Sequence, residues 1–405
     1  MDYSKRVDMI SAYSVPISYR PPETLPALAK CTDYPNTNSL QYRLSEAVPL
    51  ADKQLHPFLD LATVNGVGNV IVAGNTYTNR LWEGGLCCWD KVEELACEEK
   101  VIFSKHCEAI VTALCYTKDD ALFLLGNDRG SIELWSTGNA VRGTGLYPVD
   151  NRYEHIGAVT ALDIFRGTDR MVISGSMDGC IKLWDYSEGD LHSSRTLQQA
   201  HVGAVTAVAT DHSQDSLAVS CSHDRSALLW DFRETKPAIA LYEGHDAAFT
   251  TIRWCDEASW NRLVAVGDAA GQVHFIDTRQ PNVLLESVPC FDRKVHKISF
   301  HRNYFAVLGN TPEVKFFDDK SKQIHVETSA TNYVRDIIWE NPKDGDEKAS
   351  PSLACTLIGW DSYVKRVSVD TVAAVAEKGA PASCNLAALY VSSRAASISV
   401  AIVAI

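Results

Sequence analysis

Between about residues 52 and 369 the apolar positions of this chain fall in short runs, separated by turns rich in Asp, Gly, Asn and Ser. Val172-Ile-Ser-Gly-Ser-Met-Asp-Gly-Cys-Ile-Lys-Leu-Trp-Asp185 shows the pattern: an apolar run, a tight polar turn, and a second run closing on Trp-Asp. Leu217-Ala-Val-Ser-Cys-Ser-His-Asp-Arg-Ser-Ala-Leu-Leu-Trp-Asp231 repeats it, and Ser131-Ile-Glu-Leu-Trp135 keeps its last part. β-branched and aromatic residues in short runs bounded by turn formers predict antiparallel strands joined by hairpins.

The runs recur with their surroundings. His155-Ile-Gly-Ala-Val-Thr-Ala161 returns as His201-Val-Gly-Ala-Val-Thr-Ala207, with one extra residue as His106-Cys-Glu-Ala-Ile-Val-Thr-Ala113, and more loosely as His245-Asp-Ala-Ala-Phe-Thr-Thr251. Trp89, Trp135, Trp184 and Trp230 follow one another at intervals of 46, 49 and 46 residues, the period of a WD repeat with its loops. Gly267–Asp277 reads as a divergent copy with Phe275 in the Trp place, Phe305–Asp318 as one that has lost it further, and Leu357–Val367 as the last. Tyr116, Phe165, Trp254, Phe300 and Trp339 each supply a bulky end to a first strand. Seven such units predict an all-β fold, a seven-bladed WD-repeat β-propeller over residues 51–369.

Two segments fall outside the repeats. Residues 1–50 hold Pro16, Pro21, Pro22, Pro26 and Pro35 and read as an extended arm, with Leu40-Gln-Tyr-Arg-Leu44 a candidate outer strand for the last blade. Residues 370–405 are rich in Ala, Val and Ser and give no structural reading. Glu340 to Ser352 is a charged loop expected at the surface of the final blade.

Composition narrows the function. A net charge of −13 argues against nucleic acid as a direct partner and favours basic proteins or peptide tails. The 12 cysteines show neither CxxC nor zinc-like spacing and read as reduced, mostly buried thiols, so no metal site is expected. The N-terminus lacks the apolar core of a signal peptide, and the apolar stretch from Ala388 is broken by Arg394, so no membrane anchor is expected. No phosphate-binding loop, HExxH or GxSxG pattern occurs, no cofactor is expected, and a binding scaffold rather than an enzyme is the expectation.

By resemblance to WD repeats generally, His155, Ser174, Asp178 and Trp184 form one hydrogen-bonded tetrad, and His201, Ser220, Asp224 and Trp230 form the next. Ser, His and Asp could suggest a hydrolase triad, but a catalytic set occurs once and these recur in successive repeats.

The stretch Asn75-Thr-Tyr-Thr-Asn-Arg-Leu-Trp-Glu-Gly-Gly-Leu86 does not fit the repeats. It reads as an enlarged turn between predicted strands at Gly68–Gly74 and Leu86–Asp90, carrying Trp82 with Tyr77 and Leu81. Arg80-Leu-Trp-Glu-Gly-Gly-Leu86, Gly130-Ser-Ile-Glu-Leu-Trp135 and the final blade, Tyr333-Val-Arg-Asp-Ile-Ile-Trp339 with Thr356-Leu-Ile-Gly-Trp-Asp361, resemble the methylosome WD-repeat protein family. That resemblance implies a non-catalytic partner of the type II protein arginine methyltransferase, assembled with it as a hetero-octamer. It further implies presentation of substrates such as Sm proteins and histone tails, in cytoplasm and nucleus. Carried over, Trp82 inserts into the enzyme, with Arg80, Leu81 and Tyr77 beside it. Other WD adaptors, such as a histone-binding subunit, a ubiquitin-ligase substrate receptor or an assembly chaperone, remain the alternative. In that family the arm before the first blade is shorter, an insertion such as 340–352 is unusual, and the tail after 370 has no counterpart.

Overall fold

A computed structural model describes residues 57–370, apart from 78–81, 140–142, 168–169, 213, 215, 235–237, 256–261 and 341–351. The predicted arm (1–50), the Leu40–Leu44 strand, most of the 340–352 loop and the tail beyond 370 lie outside the described residues.

Each repeat folds as one antiparallel sheet whose strands pair in chain order, the pattern hairpin-linked strands give. Blade 1 spans residues 58–107, blade 2 111–153, blade 3 159–197, blade 4 205–242, blade 5 249–289 and blade 6 295–327; each has four strands. Blade 7, 334–370, has three among the described residues. The first strands adjoin one another around the centre, and the first strand of blade 1 packs against that of blade 7 to close the ring. The fold is a seven-bladed β-propeller.

The core lies between blades rather than within one, because a sheet buries its apolar face only against a neighbour. One cluster joins Ile71, Leu86 and Cys88 of blade 1 to Val111, Phe123 and Trp135 of blade 2. Another crosses the closure, joining Leu59, Val70 and Trp89 to Ile338 and Ile358. Among the described residues the helices are three short 3-10 turns, and none is long and apolar enough to cross a membrane.

The strand register corrects two readings. In blade 3 Trp184 pairs with Val172, and the equivalent pair in blade 5 is Ile276 with Val264. Ile276, not Phe275, therefore stands in the Trp place. In blade 6 the place is filled by Phe317, which pairs with and stacks on Phe305 at 4.9 Å. An aromatic pattern without its partner strand cannot distinguish positions one residue apart, yet that step reverses the face.

Candidate functional site: the blade 1 hairpin and the closure of the ring

The hairpin that carries Trp82 is not a long turn. Its strands are Val70–Tyr77 and Trp82–Trp89, so both run further than predicted and only 78–81 is left to connect them. In blade 3 pairing ends at Gly175 with Ile181; the matching pair in blade 1 is Ala73 with Leu86. Pairing then continues through Gly74–Gly85, Asn75–Gly84 and Thr76–Glu83 to Tyr77–Trp82. These extra rungs carry the hairpin on by roughly 13 Å at the usual rise per residue.

Two devices hold the extension in place. Asn75 is fully buried; its Nδ2 donates to the Val111 carbonyl at 3.1 Å, and its Oδ1 accepts from the Val111 amide at 3.0 Å. It thus substitutes for a strand partner on blade 2. Opposite it, Gly84 leaves no room for a side chain: a Cβ there would lie 2.6 Å from the Ala109 carbonyl oxygen.

At the end of this hairpin Trp82 is 60% exposed. The other described tryptophans are buried or half-buried, which sets Trp82 apart from every W-D type residue. It rests edge-on against Tyr77, with ring centroids 6.1 Å apart. Of the other residues grouped with it, Arg80 and Leu81 lie outside the described residues. Tyr77 is half-buried and has an internal task, since its hydroxyl donates to Asp60 Oδ2 at 2.7 Å. Burial, and then the Asp60 charge, push that phenol far above its ordinary range.

Asp60 is the centre of the ring closure. Besides Tyr77 it accepts Asn75 Nδ2 at 2.7 Å, Trp360 Nε1 at 2.8 Å and Arg335 Nε at 3.2 Å. Four donors from both ends of the propeller thus converge on one buried carboxylate. Phe58, Trp360 and Tyr333 continue the ring contacts outward from Tyr77, with centroids 5.1–6.0 Å apart. Arg335 also lies 5.5 Å over the Trp360 ring.

The sequence reading missed this cluster, although a signal was present. The second residue of the first strand is Thr112, Thr160, Thr206 and Thr250 in blades 2–5. Each threonine hydroxyl donates to a carbonyl of the next blade's first strand, as Thr206 does to Phe249 at 3.0 Å. In blades 6 and 7 the same position is His296 and Arg335, and in blade 1 the residue at the matching register shift is Asp60. Where four blades join through a neutral hydroxyl, the closure joins through an ion pair. Burial, then the Arg335, Lys297 and Lys294 charges, drive His296 well below its ordinary range, leaving it a neutral imidazole.

The tetrad residues come together in both blades. His155 Nδ1 donates to Asp178 Oδ2 at 3.1 Å, its Nε2 lies 2.8 Å from Ser174 Oγ, and Trp184 Nε1 donates to that hydroxyl at 2.9 Å. In blade 4 His201 bonds Asp224 at 3.1 Å and Ser220 at 2.7 Å, and Trp230 donates to Ser220 at 2.8 Å. A carboxylate only accepts, so Nδ1 carries the imidazole proton and the serine donates to Nε2. Burial lowers the pKa of both histidines, and their Asp partners offset this only in part. Burial alone would raise Asp178, but the amides of Cys180 and Ile156 together with His155 hold it below the ordinary carboxylate range.

Comparison with known proteins agrees with this geometry. The WD domain, G-beta repeat family matches residues 147–185 and 192–231, the segments that supply the Asp-turn and Trp of the two tetrads. The chain is similar to Protein valois of Drosophila melanogaster, at 28% identity over 345 residues, which covers 81% of this chain and 92% of the relative. The chain is a WD-repeat propeller, and its similarity to that relative extends well beyond the two matched repeats.

Proposed function

We propose that this chain is the non-catalytic WD-repeat subunit of a methylosome-like complex, docking a type II protein arginine methyltransferase through the blade 1 hairpin. One observation carries the reading: an indole is held out, mostly exposed, on a hairpin that runs four rungs past the point where pairing ends in blade 3. An exposed Trp costs solubility and does nothing for its own core, whereas buried in a partner's pocket it is a strong anchor, with truncation costing about 2 kcal/mol or more. The resemblance of Arg80–Leu86 and of the last blade to the methylosome family supports the choice of partner. The acidic net charge of −13 suits basic, arginine-rich substrates such as Sm proteins and histone tails. On this reading the assembly is a hetero-octamer found in cytoplasm and nucleus.

Co-expression with a type II methyltransferase, followed by size-exclusion chromatography, tests the proposal. The wild-type chain is expected to co-elute and Trp82→Ala to elute free. Co-elution of Trp82→Ala would remove the anchoring role. A wild-type chain that ignores the methyltransferase and instead captures histones, a ubiquitin-ligase scaffold or an assembly client from native extract would place it among the other WD adaptors.

A further inference from the structure

Blade 5 keeps the tetrad histidine, His245, but not its partners. The register puts Val266 where blade 3 has Ser174, Ala270 where it has Asp178, and Ile276 where it has Trp184. Two polar residues appear instead: Asp268 in the place of Ser176, and His274 in the place of Lys182. Both are buried, 1% and 2% exposed, while His245 is half-buried at the rim. The His245 and His274 rings meet edge-on with centroids 4.6 Å apart. One ligand atom from each of His245, Asp268 and His274 lies within 4.8 Å of the others.

We propose that blade 5 holds a divalent transition-metal ion of zinc's class on His245, Asp268 and His274, in the place where sister blades hold a tetrad. Two neutral imidazoles and a carboxylate form a donor set that such ions favour, and His274 Nε2 and Asp268 Oδ2, 3.1 Å apart, are spaced as neighbouring tetrahedral ligands are. Each ligand is also held from behind. His274 Nδ1 lies 2.7 Å from Ser287 Oγ, His245 Nδ1 lies 3.1 Å from both the carbonyl oxygen and the amide nitrogen of Ala247, and Asp268 Oδ1 accepts the Gln272 amide at 2.8 Å. Partners of this kind orient the rings in histidine–metal sites, and here they leave His274 Nε2 facing Asp268.

Without metal, His274 donates from Nε2 to Asp268 and accepts from Ser287. With metal on Nε2, Nδ1 carries the proton and donates it to Ser287. Three protein ligands leave one tetrahedral position for water. The three residues are too far apart in sequence to form a recognisable motif, and only the blade brings them together.

The test uses the full chain, stripped with chelator and titrated with zinc chloride against a chromophoric competitor. One equivalent is expected to bind and to raise the midpoint of thermal unfolding by a few degrees. His274→Lys, which restores the residue of blade 3, and His245→Gln, at the rim, should each weaken binding at least about tenfold. If His274→Lys fails to fold, His245→Gln decides alone. Cobalt distinguishes the site from the free cysteines, because ligation by nitrogen and oxygen lacks the strong thiolate charge-transfer band. Absence of binding, binding that survives His245→Gln, or a thiolate band in the cobalt spectrum would each overturn the proposal.

Discussion

Blades 3 and 4 and the junction of blades 7 and 1 all bury polar side chains between strands, but to different ends. In blades 3 and 4 one His, one Ser, one Asp and one Trp satisfy one another inside a single blade, and the set is repeated. At the junction the donors come from two blades, meet on Asp60 and have no second copy among the described residues. The repeated sets make each blade rigid by itself. The unrepeated set makes a ring of separate blades into a closed one, and the Trp82 hairpin stands on it through Tyr77 and Asn75. Closure and proposed docking surface are thus one construction.

The comparison is broken most severely at Asp60. Replacing it with Leu leaves Arg335 as an unpaired charge, part-buried, and strands the donors of Asn75, Tyr77 and Trp360. Loss of one partner of a buried pair costs about 3–5 kcal/mol. Urea denaturation of Asp60→Leu is expected to show a loss in that range; a loss as small as that of a surface substitution would mean that apolar packing alone closes the ring.

A tetrad should be worth less than the closure, because it holds one blade. Ser220→Ala removes the acceptor of Trp230 Nε1 and the donor to His201 Nε2, both buried, and leaving such groups unsatisfied costs about 1–3 kcal/mol. The same urea experiment measures it. A cost equal to that of Asp60→Leu would erase the distinction between local and closing sets.

Much of this was readable in advance, and for a physical reason. Tetrads and W-D tryptophans recur because each blade must solve the same problem, and recurrence makes them visible at intervals of 46, 49 and 46 residues. The closure was not readable, since Asp60 meets Arg335 and Trp360 across separations of 275 and 300 residues and has no second copy. The hairpin stands out as odd in the sequence but its form does not, because Gly84 and Gly85 interrupt the apolar pattern by which a strand is recognised. Gly84 is there for the close approach of Ala109. Divergent blades 5 and 6 misled through register, where Phe275 drew attention from Ile276.

Acid should act first through the buried histidines, in blades 3 and 4 and, by the same linkage, at His296 in blade 6. His155 and His201 have folded-state pKa values below the ordinary 6.5, so the unfolded chain binds protons more tightly. Their contribution is complete above 6.5 and is lost as pH falls from there through the lowered folded values. Asp178 and Asp224, also lowered, withdraw theirs below their ordinary 3.8. Stability measured by urea midpoint should therefore begin to decline below pH 6.5, and replacing both histidines with Asn should flatten the first part of that decline. An unchanged slope in the double variant would assign the acid sensitivity elsewhere.

The smallest effect on stability is expected where the effect on binding is largest. Trp82 is 60% exposed and its indole contacts Tyr77 only at an edge, so Trp82→Ala should change the stability read by urea denaturation by no more than about 0.5 kcal/mol. Tyr77→Phe, which spares the ring contacts but removes a donor to Asp60, should cost more than that, on the order of 1 kcal/mol. The ordering separates two roles for neighbouring aromatics, one belonging to the fold and one offered to a partner. If Trp82→Ala proved the costlier of the two, the indole would be part of the closure, and its exposure would no longer argue for a docking anchor.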